Sequence, residues 1–271
     1  MSRKVIIFTL LSIVAFLFFV PFLWMLLTSI KPEKEIFAYP PHLIPSAISA
    51  TNYYQLMEKT PFALFTLNSF LLVIINIIGA ILSSIFPAYA FARFNFPGRN
   101  VLFVVVLAAM IIPQYVIILP LYVLMKNLGW LDTYLPLTVP SFFCYSLGIF
   151  LLRQFFLTIP KELDDAARID GCNNLGILWR IYVPLSKPPL ITLAIFMAIF
   201  QWNDLLRPIV YLDSPSKMPL SVGLVMIQGE YTVQWNLLMA AALLSIIPMV
   251  VVFIVLQRYY IQGIITSGLK G

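Results

Sequence analysis

Six predominantly apolar stretches of this chain hold no Asp, Glu, Lys or Arg: 5–30, 60–92, 100–125, 133–152, 188–203 and 231–257. Five of them reach the roughly 18–20 residues that a helix needs to cross about 30 Å of hydrocarbon. The sixth, 188–203, continues as apolar sequence to Leu212 once Asp204 and Arg207 are admitted to the span. Only 10% of the residues are charged, against about 25% in a soluble domain, so water is the wrong solvent for most of the chain. The runs lack the alternating segments of about ten residues that a membrane β-barrel uses. The sequence therefore predicts an all-α polytopic membrane protein. Its six transmembrane helices are expected at about 5–30, 66–92, 101–125, 134–156, 188–212 and 237–257, in a single domain 1–271.

Arg3 and Lys4 before an apolar run also fit the start of a cleaved signal peptide. That run is too long for a signal core, contains Pro21 and shows no clear small-residue cleavage site, so a retained first span is the reading. Basic residues set the orientation. With the N-terminus in the cytoplasm, Arg3, Lys4, Arg93, Arg99, Arg153, Lys161, Arg168, Arg180, Lys187, Arg258 and Lys270 fall inside. Lys31, Lys34, Lys59, Lys126, Arg207 and Lys217 then fall outside. Eleven against six places both termini in the cytoplasm, and the same bias accounts for the net charge of +6.

Prolines punctuate the chain. Pro32, Pro40, Pro41 and Pro45 mark an irregular outer loop, with a short helix expected near Tyr53–Glu58. Pro113 and Pro120 should bend the third span, because each removes a backbone donor that a neighbour must compensate. The cytoplasmic connection 158–187 has its own signals. Glu162, Asp164 and Asp165 place negative charge at the positive end of a first helix. Asp170-Gly171 breaks it, and Asn173 or Asn174 caps a second helix through Tyr182. An amphipathic loop lying on the membrane is the alternative reading of this spacing.

No nucleophile, base and orienting group occur together, and no metal-ligand spacing is present, so the chain reads as a non-enzyme without a metal. His42 has no second ligand nearby, and Cys144 and Cys172 fall at different depths, so no disulfide is expected. Gly171 and Gly176 have the spacing of a phosphate loop. Ile177 and Leu178 stand where Lys and Ser or Thr would hold phosphate and Mg²⁺. Energy must come from elsewhere.

The connection reads P-K-E-L-D-D-A-A-R-I-D-G-C-N-N-L-G-I-L-W-R-I-Y-V-P from Pro160 to Pro184. It resembles the E-A-A-x3-G-x9-I-x-L-P signature of membrane subunits in binding-protein-dependent ABC importers, with Asp165 in place of the glutamate. Matching positions are Asp165, Ala166, Ala167, Gly171, Ile181 and Pro184. I-I-P-Q-Y-V-I-I-L-P-L-Y at 111–122, N-L-G-W-L-D-T-Y at 127–134, Q-W-N-D-L-L-R-P at 201–208 and the closing Q-R-Y-Y-I-Q-G-I-I-T-S-G-L-K-G are similar to the smaller membrane subunit of maltose-type and glycerol-3-phosphate-type importers. Arg207 stands where that family carries an apolar or aromatic residue.

The resemblance implies a type I importer permease fold in the cytoplasmic (inner) membrane of a bacterium or archaeon. It implies a heterodimer with a second permease subunit, two ATP-binding subunits that use ATP and Mg, and an extracytoplasmic solute-binding protein. No cofactor is expected on this chain itself. The matched loop would dock on the ATPase, and the tail Gln262–Gly271 would reach it too. The solute would be a carbohydrate or related compound. Gln201, Trp202, Asn203, Asp204 and Arg207 gather polar and aromatic groups in an otherwise aliphatic span and are the candidates for the solute path. On a continuous helix, Gln201 and Asp204 would share a face, as would Asn203 and Arg207. The alternative is that Asp204 and Arg207 merely pair with each other. An ion-coupled secondary transporter is the competing function class. It would need ionisable groups at mid-membrane and often a repeat, and this sequence offers only Asp204 and Arg207, near one end of a span.

Overall fold

The computed structural model describes the backbone of residues 3–40, 42, 44–229 and 234–268, with side chains as far as Gln257. The expected contact of Gln262–Gly271 with an ATPase lies outside the described side chains. Among the described residues the regular structure is entirely helical, as the uncharged runs require. The main helices are α1 (Arg3–Ser29), α2 (Thr51–Lys59), α3 (Phe62–Arg93), α4 (Arg99–Ala108), α5 (Gln114–Asn127), α6 (Ser146–Thr158), α7 (Glu162–Ile169), α8 (Asn174–Leu185), α9 (Lys187–Trp202), α10 (Leu206–Tyr211), α11 (Leu220–Gln228) and α12 (Trp235–Gly268). They fall into two compact units, 1–66 with 222–249, and 67–221 with 250–271.

In the first unit, α1 has a mean hydropathy of 2.8 over its best window and buries none of that window within the chain. Such a helix belongs in an apolar environment. Only its end is anchored. Asn52 of α2, itself buried, donates from Nδ2 to the carbonyl of Ser29 (2.8 Å), which ends α1 and has no helical partner, and to that of Lys31 (2.9 Å) just beyond. Ser29 and Tyr53 share a hydroxyl hydrogen bond of 2.7 Å, and Asn236 donates to Asn52 Oδ1 at 2.8 Å.

In the second unit, the helical stretch Leu135–Thr158 runs beside α3. A Cβ on Gly148 would lie 2.9 Å from Ser84 Cβ and 3.0 Å from Leu193 Cδ2, so α6 packs closely on α3 and on a side chain of α9 at this glycine. Leu152, Phe156, Ile85, Tyr89 and Leu193 fill the core there.

Among the described residues, four helical stretches are long and apolar enough to cross a membrane: Arg3–Ser29, Phe62–Arg93, Leu135–Thr158 and Trp235–Gln257. A fifth arises if α8 and α9, bent by 75° at Ser186, count as one. The third expected span, 101–125, is not one helix. Pro113 lacks an N–H and disfavours helical backbone at Ile112, so α4 ends at Ala108 and α5 starts after Pro113 in extended backbone, φ −63° and ψ 132°. At 10 and 14 residues and about 1.5 Å per residue, neither piece alone reaches about 30 Å. Pro120, by contrast, sits inside α5 without ending it. The fifth expected span, 188–212, also stops early. Helix α9 ends at Trp202, and α10 begins at Leu206.

Before the Leu135–Thr158 stretch, one residue ties two loops together. Asp132, in left-handed backbone at φ 54°, accepts from the backbone N–H of Asp213 (3.1 Å) and Ser214 (2.9 Å), from Ser214 Oγ (2.5 Å) and from Lys217 Nζ (2.8 Å). Its own N–H donates to the Tyr211 carbonyl at 2.8 Å. Lys217, and then Ser214, hold the Asp132 carboxyl well below the usual carboxylate range.

Candidate functional site

The matched connection folds as helix, tight turn, helix. Three carboxylates open α7, and Gly171 closes it at φ 82°. Gly171 N–H donates to the Arg168 carbonyl (3.0 Å) and Cys172 N–H to the Ala167 carbonyl (2.9 Å). This paired pattern with a left-handed glycine satisfies the last carbonyls of a helix. No atom would meet a Cβ on Gly171 within 4 Å, so the demand for glycine is one of backbone conformation, not of space. Asn173 then opens α8, with Oδ1 accepting Gly176 N–H at 2.8 Å. Asn174 instead accepts from Arg168 Nη2 at 3.2 Å. A π turn over Leu178–Tyr182 precedes Val183-Pro184 within the same helix.

Sequence periodicity on α7 separates two faces. Asp165, Ala166 and Ile169 are exposed, the last at 86%. Asp164 and Ala167 are buried. Ala167 therefore belongs to the chain's own core, in one cluster with Ile177, Tyr182 and Phe156, while Ala166 stays on the exposed face. Gly171 and Pro184 are exposed, and Ile181 packs half-buried against that core. Beyond the turn, Leu175 is exposed at 58% and Trp179 at 45%. The tip thus carries Ile169 and Leu175 outward from a rigid frame.

Sequence reasoning missed Asp164, Arg93 and Tyr182. Tyr182 Oη donates to Asp164 Oδ1 at 2.7 Å, Arg93 Nε lies 3.6 Å from Asp164 Oδ2, and Arg93 Nη2 donates to the Ile159 carbonyl. Burial, then the bond to Asp164, pushes the Tyr182 hydroxyl far up, so it stays a donor. The available signal was the three-residue spacing of Asp164 and Ala167, which marks one inward face.

The second set of candidates meets around the break after α9. Arg207 donates from Nε to Asp204 Oδ2 (2.6 Å) and from Nη2 to Gln201 Oε1 (2.8 Å), with its guanidinium 5.1 Å from the Phe200 ring centre. The expected helical faces do not form, because the helix ends at Trp202. Asn203 donates to the Ile199 carbonyl at 2.8 Å, and such side-chain bonds to nearby backbone compete with continued helix. Gln201, Asp204 and Arg207 come together, while Asn203 stays exposed and does not pair with Arg207. Trp202 is buried, its ring edge-to-face with Phe70 at 5.1 Å. Ser221 Oγ donates to the Asp204 carbonyl at 2.7 Å.

Residues 77–266 match the family described as binding-protein-dependent transport system inner membrane component. The arabinooligosaccharides transport system permease protein AraQ of Halalkalibacterium halodurans is 35% identical over 263 residues, 96% of this chain and 94% of the relative. The sn-glycerol-3-phosphate transport system permease protein UgpE of Yersinia pestis is 36% identical over 244 residues, 87% of this chain and 86% of the relative. Sulfoquinovosyl glycerol transport system permease protein SmoH of Agrobacterium fabrum is 32% identical over 253 residues, 93% and 88% of the two chains. Among solved structures, a chain of a bacterial ABC transporter involved in the import of the acidic polysaccharide alginate superposes with a TM-score of 0.83. That match is 26% identical and covers 96% of this chain and 99% of the other. Such permeases act with a partner permease, an ATPase and a solute-binding protein, and membership displaces the ion-coupled alternative. The chain belongs to the binding-protein-dependent transport system inner membrane component family and is a non-enzymatic, membrane-spanning permease subunit of an ABC importer.

Proposed function

We propose that this subunit supplies half of the path for a carbohydrate or related solute, and that its 160–184 loop transmits ATPase movement to that path. The observation that carries the loop assignment is the outward display of Ile169 and Leu175 on either side of the Gly171 turn. Large apolar side chains held on a rigid polar frame favour a protein partner. Asp165, Ala166, Gly171 and Pro184 complete that exposed surface, and Ala167 and Ile181 fasten it from within. One permease heterodimer and two ATPase subunits, which hold the ATP and Mg, complete the assembly. Both termini and the loop face the cytoplasm, and residues 1–271 act as one permease domain.

Gln201, Trp202, Asn203, Asp204 and Arg207 border the solute path in this reading. Arg207 is already matched by Asp204, so the cluster offers amide and guanidinium hydrogen bonds at no net charge. That chemistry favours a hydroxylated solute over an anionic one. Trp202 backs the cluster, and exposed Asn203 faces the path.

Co-expression with the ATPase and binding-protein partners tests the assignment. Native complex in proteoliposomes should take up a radiolabelled arabinose oligosaccharide from a panel that includes sn-glycerol 3-phosphate, and Ile169→Asp should release the ATPase on purification. Retained ATPase with Ile169→Asp counts against the loop surface. For the path, Arg207→Met should impair uptake, and adding Asp204→Asn should not restore it. Restoration would make the pair purely structural.

A further inference from the structure

The coupling loop rests on a buried charged joint that an ordinary packed loop would not need. Arg93 is the last residue of α3 and leaves 5% of its side chain exposed, and Asp164 leaves 12%. Arg93 Nη2 donates to the Ile159 carbonyl just beyond α6, and the guanidinium centre lies 5.0 Å from the Tyr182 ring centre. Asp164 accepts the Tyr182 hydroxyl. The ends of α3 and α6 and both helices of the loop thus converge on three side chains.

Two features point beyond stability. Apolar residues of similar volume often replace a buried ion pair at no loss of stability, and Tyr182, which bonds to Asp164, already belongs to an apolar cluster with Tyr89, Phe156, Ala167 and Ile177. The pair is also not closed. At 3.6 Å the Arg93 Nε–Asp164 Oδ2 separation exceeds the roughly 2.7–2.9 Å of a charge-assisted hydrogen bond, and that buried Nε has no hydrogen-bond partner. A short shift of α7 toward α3 would close it. Around it, Tyr182 meets Tyr89 at 4.9 Å and Phe156 at 5.2 Å, edge to face, and close-packed rings pass on displacement instead of absorbing it. Tyr182 ends the π turn of α8, a local departure from α-geometry of the kind that recurs at functional positions.

We propose that Arg93, Asp164 and Tyr182 are positioning residues that convert displacement of the coupling loop into displacement of α3 and α6. The proposal rests on the loop being the ATPase contact. Its test uses the complete importer in proteoliposomes, reading uptake of radiolabelled arabinose oligosaccharide and ATP hydrolysis together. Tyr182→Phe removes only a hydroxyl, and the double variant Arg93→Met with Asp164→Leu replaces charge by apolar volume. In both, the complex is expected to assemble while solute moved per ATP hydrolysed falls about three- to tenfold. A purely structural joint would lower assembly and leave that ratio unchanged, and an unchanged ratio in assembled Tyr182→Phe overturns the proposal whether or not the double variant assembles. Gly171→Val tests the underlying reading separately. Normal uptake there would sink the coupling loop itself, whereas blocked uptake beside a normal Tyr182→Phe ratio sinks only the joint.

Discussion

The two ends of the Leu135–Thr158 stretch are fastened by carboxylates in opposite ways. Asp132, before it, is partly open to solvent and gathers four donors between 2.5 and 3.1 Å, two of them backbone N–H groups. Asp164, after it, is buried and takes one hydroxyl, with a guanidinium at 3.6 Å. An accessible carboxylate that is saturated by backbone and side-chain donors fixes loop geometry and does not depend on any single partner. A buried carboxylate has no water to fall back on, and leaving it unmatched costs several kcal/mol, so it registers every movement of its counter-charge. The first behaves as a staple and the second as a joint.

The largest expected effect lies on the joint's side of this comparison. At φ 82°, Gly171 occupies backbone that costs a residue with a Cβ about 1–2 kcal/mol, and a β-branched residue is a worse fit still. Gly171→Val should lower uptake by about tenfold or more, while Gly171→Asn should retain most of it, since Asn tolerates left-handed backbone. Immunoblots for the subunit in membranes separate this loss from loss of the protein. Equal uptake by the Val and Asn variants would show that the turn is not what couples.

The stretch between the two ends must stay rigid if one end is to move the other. Gly148→Leu would drive a side chain into Ser84 and Leu193, and overpacking of this kind costs about 1–3 kcal/mol. Heating the purified complex in detergent should show an earlier loss of the monodisperse peak. A native melting curve would mean that α6 and α3 can separate freely, and that the joint has no rigid lever to push.

The staple and the joint were not equally legible in the sequence. Uncharged runs located the long spans, and Asp170-Gly171 with Asn173 located the turn, because those signals are local: length, backbone conformation and capping. At Ile112-Pro113 the sequence predicts a bend where the structure has a break, since proline marks where a helix is interrupted but not whether neighbouring packing rejoins it. The helix end at Trp202 is not legible in the sequence, because Asn203 fits a pore ligand as well as the competitor for backbone hydrogen bonds that it is. Arg93 and Asp164 are 3.6 Å apart in space and far apart in sequence, and no local rule pairs them. Asp132 with Lys217 escaped for the same reason.

A smaller effect is expected from the cap that opens the loop's second helix. Asn173→Ala removes the acceptor of the Gly176 N–H, a loss of about 1 kcal/mol. Amide exchange should quicken over the first turn of α8 and leave α7 unchanged. Faster exchange in both helices would make the loop one cooperative piece and would move the joint's boundary outward.

The smallest effect, and the sharpest contrast with the joint, concerns acid. The Asp132 carboxyl is held well below the usual carboxylate range, chiefly by Lys217 and then Ser214. A group whose folded value is depressed contributes stability above its unfolded value, near 4, and loses that contribution as pH falls from there toward the folded value. Between pH 8 and 5 the staple should therefore hold constant. Below about pH 4 the native protein should lose thermal stability more steeply than Asp132→Asn, which carries no titrating group at this position. At neutral pH the variant should already have given up part of the staple, because an amide is a weaker acceptor for Lys217 Nζ. Parallel pH profiles for the two proteins would show that Asp132 does not gain its strength from ionisation, and the distinction between an accessible, saturated carboxylate and a buried, singly matched one would fail at its simpler end.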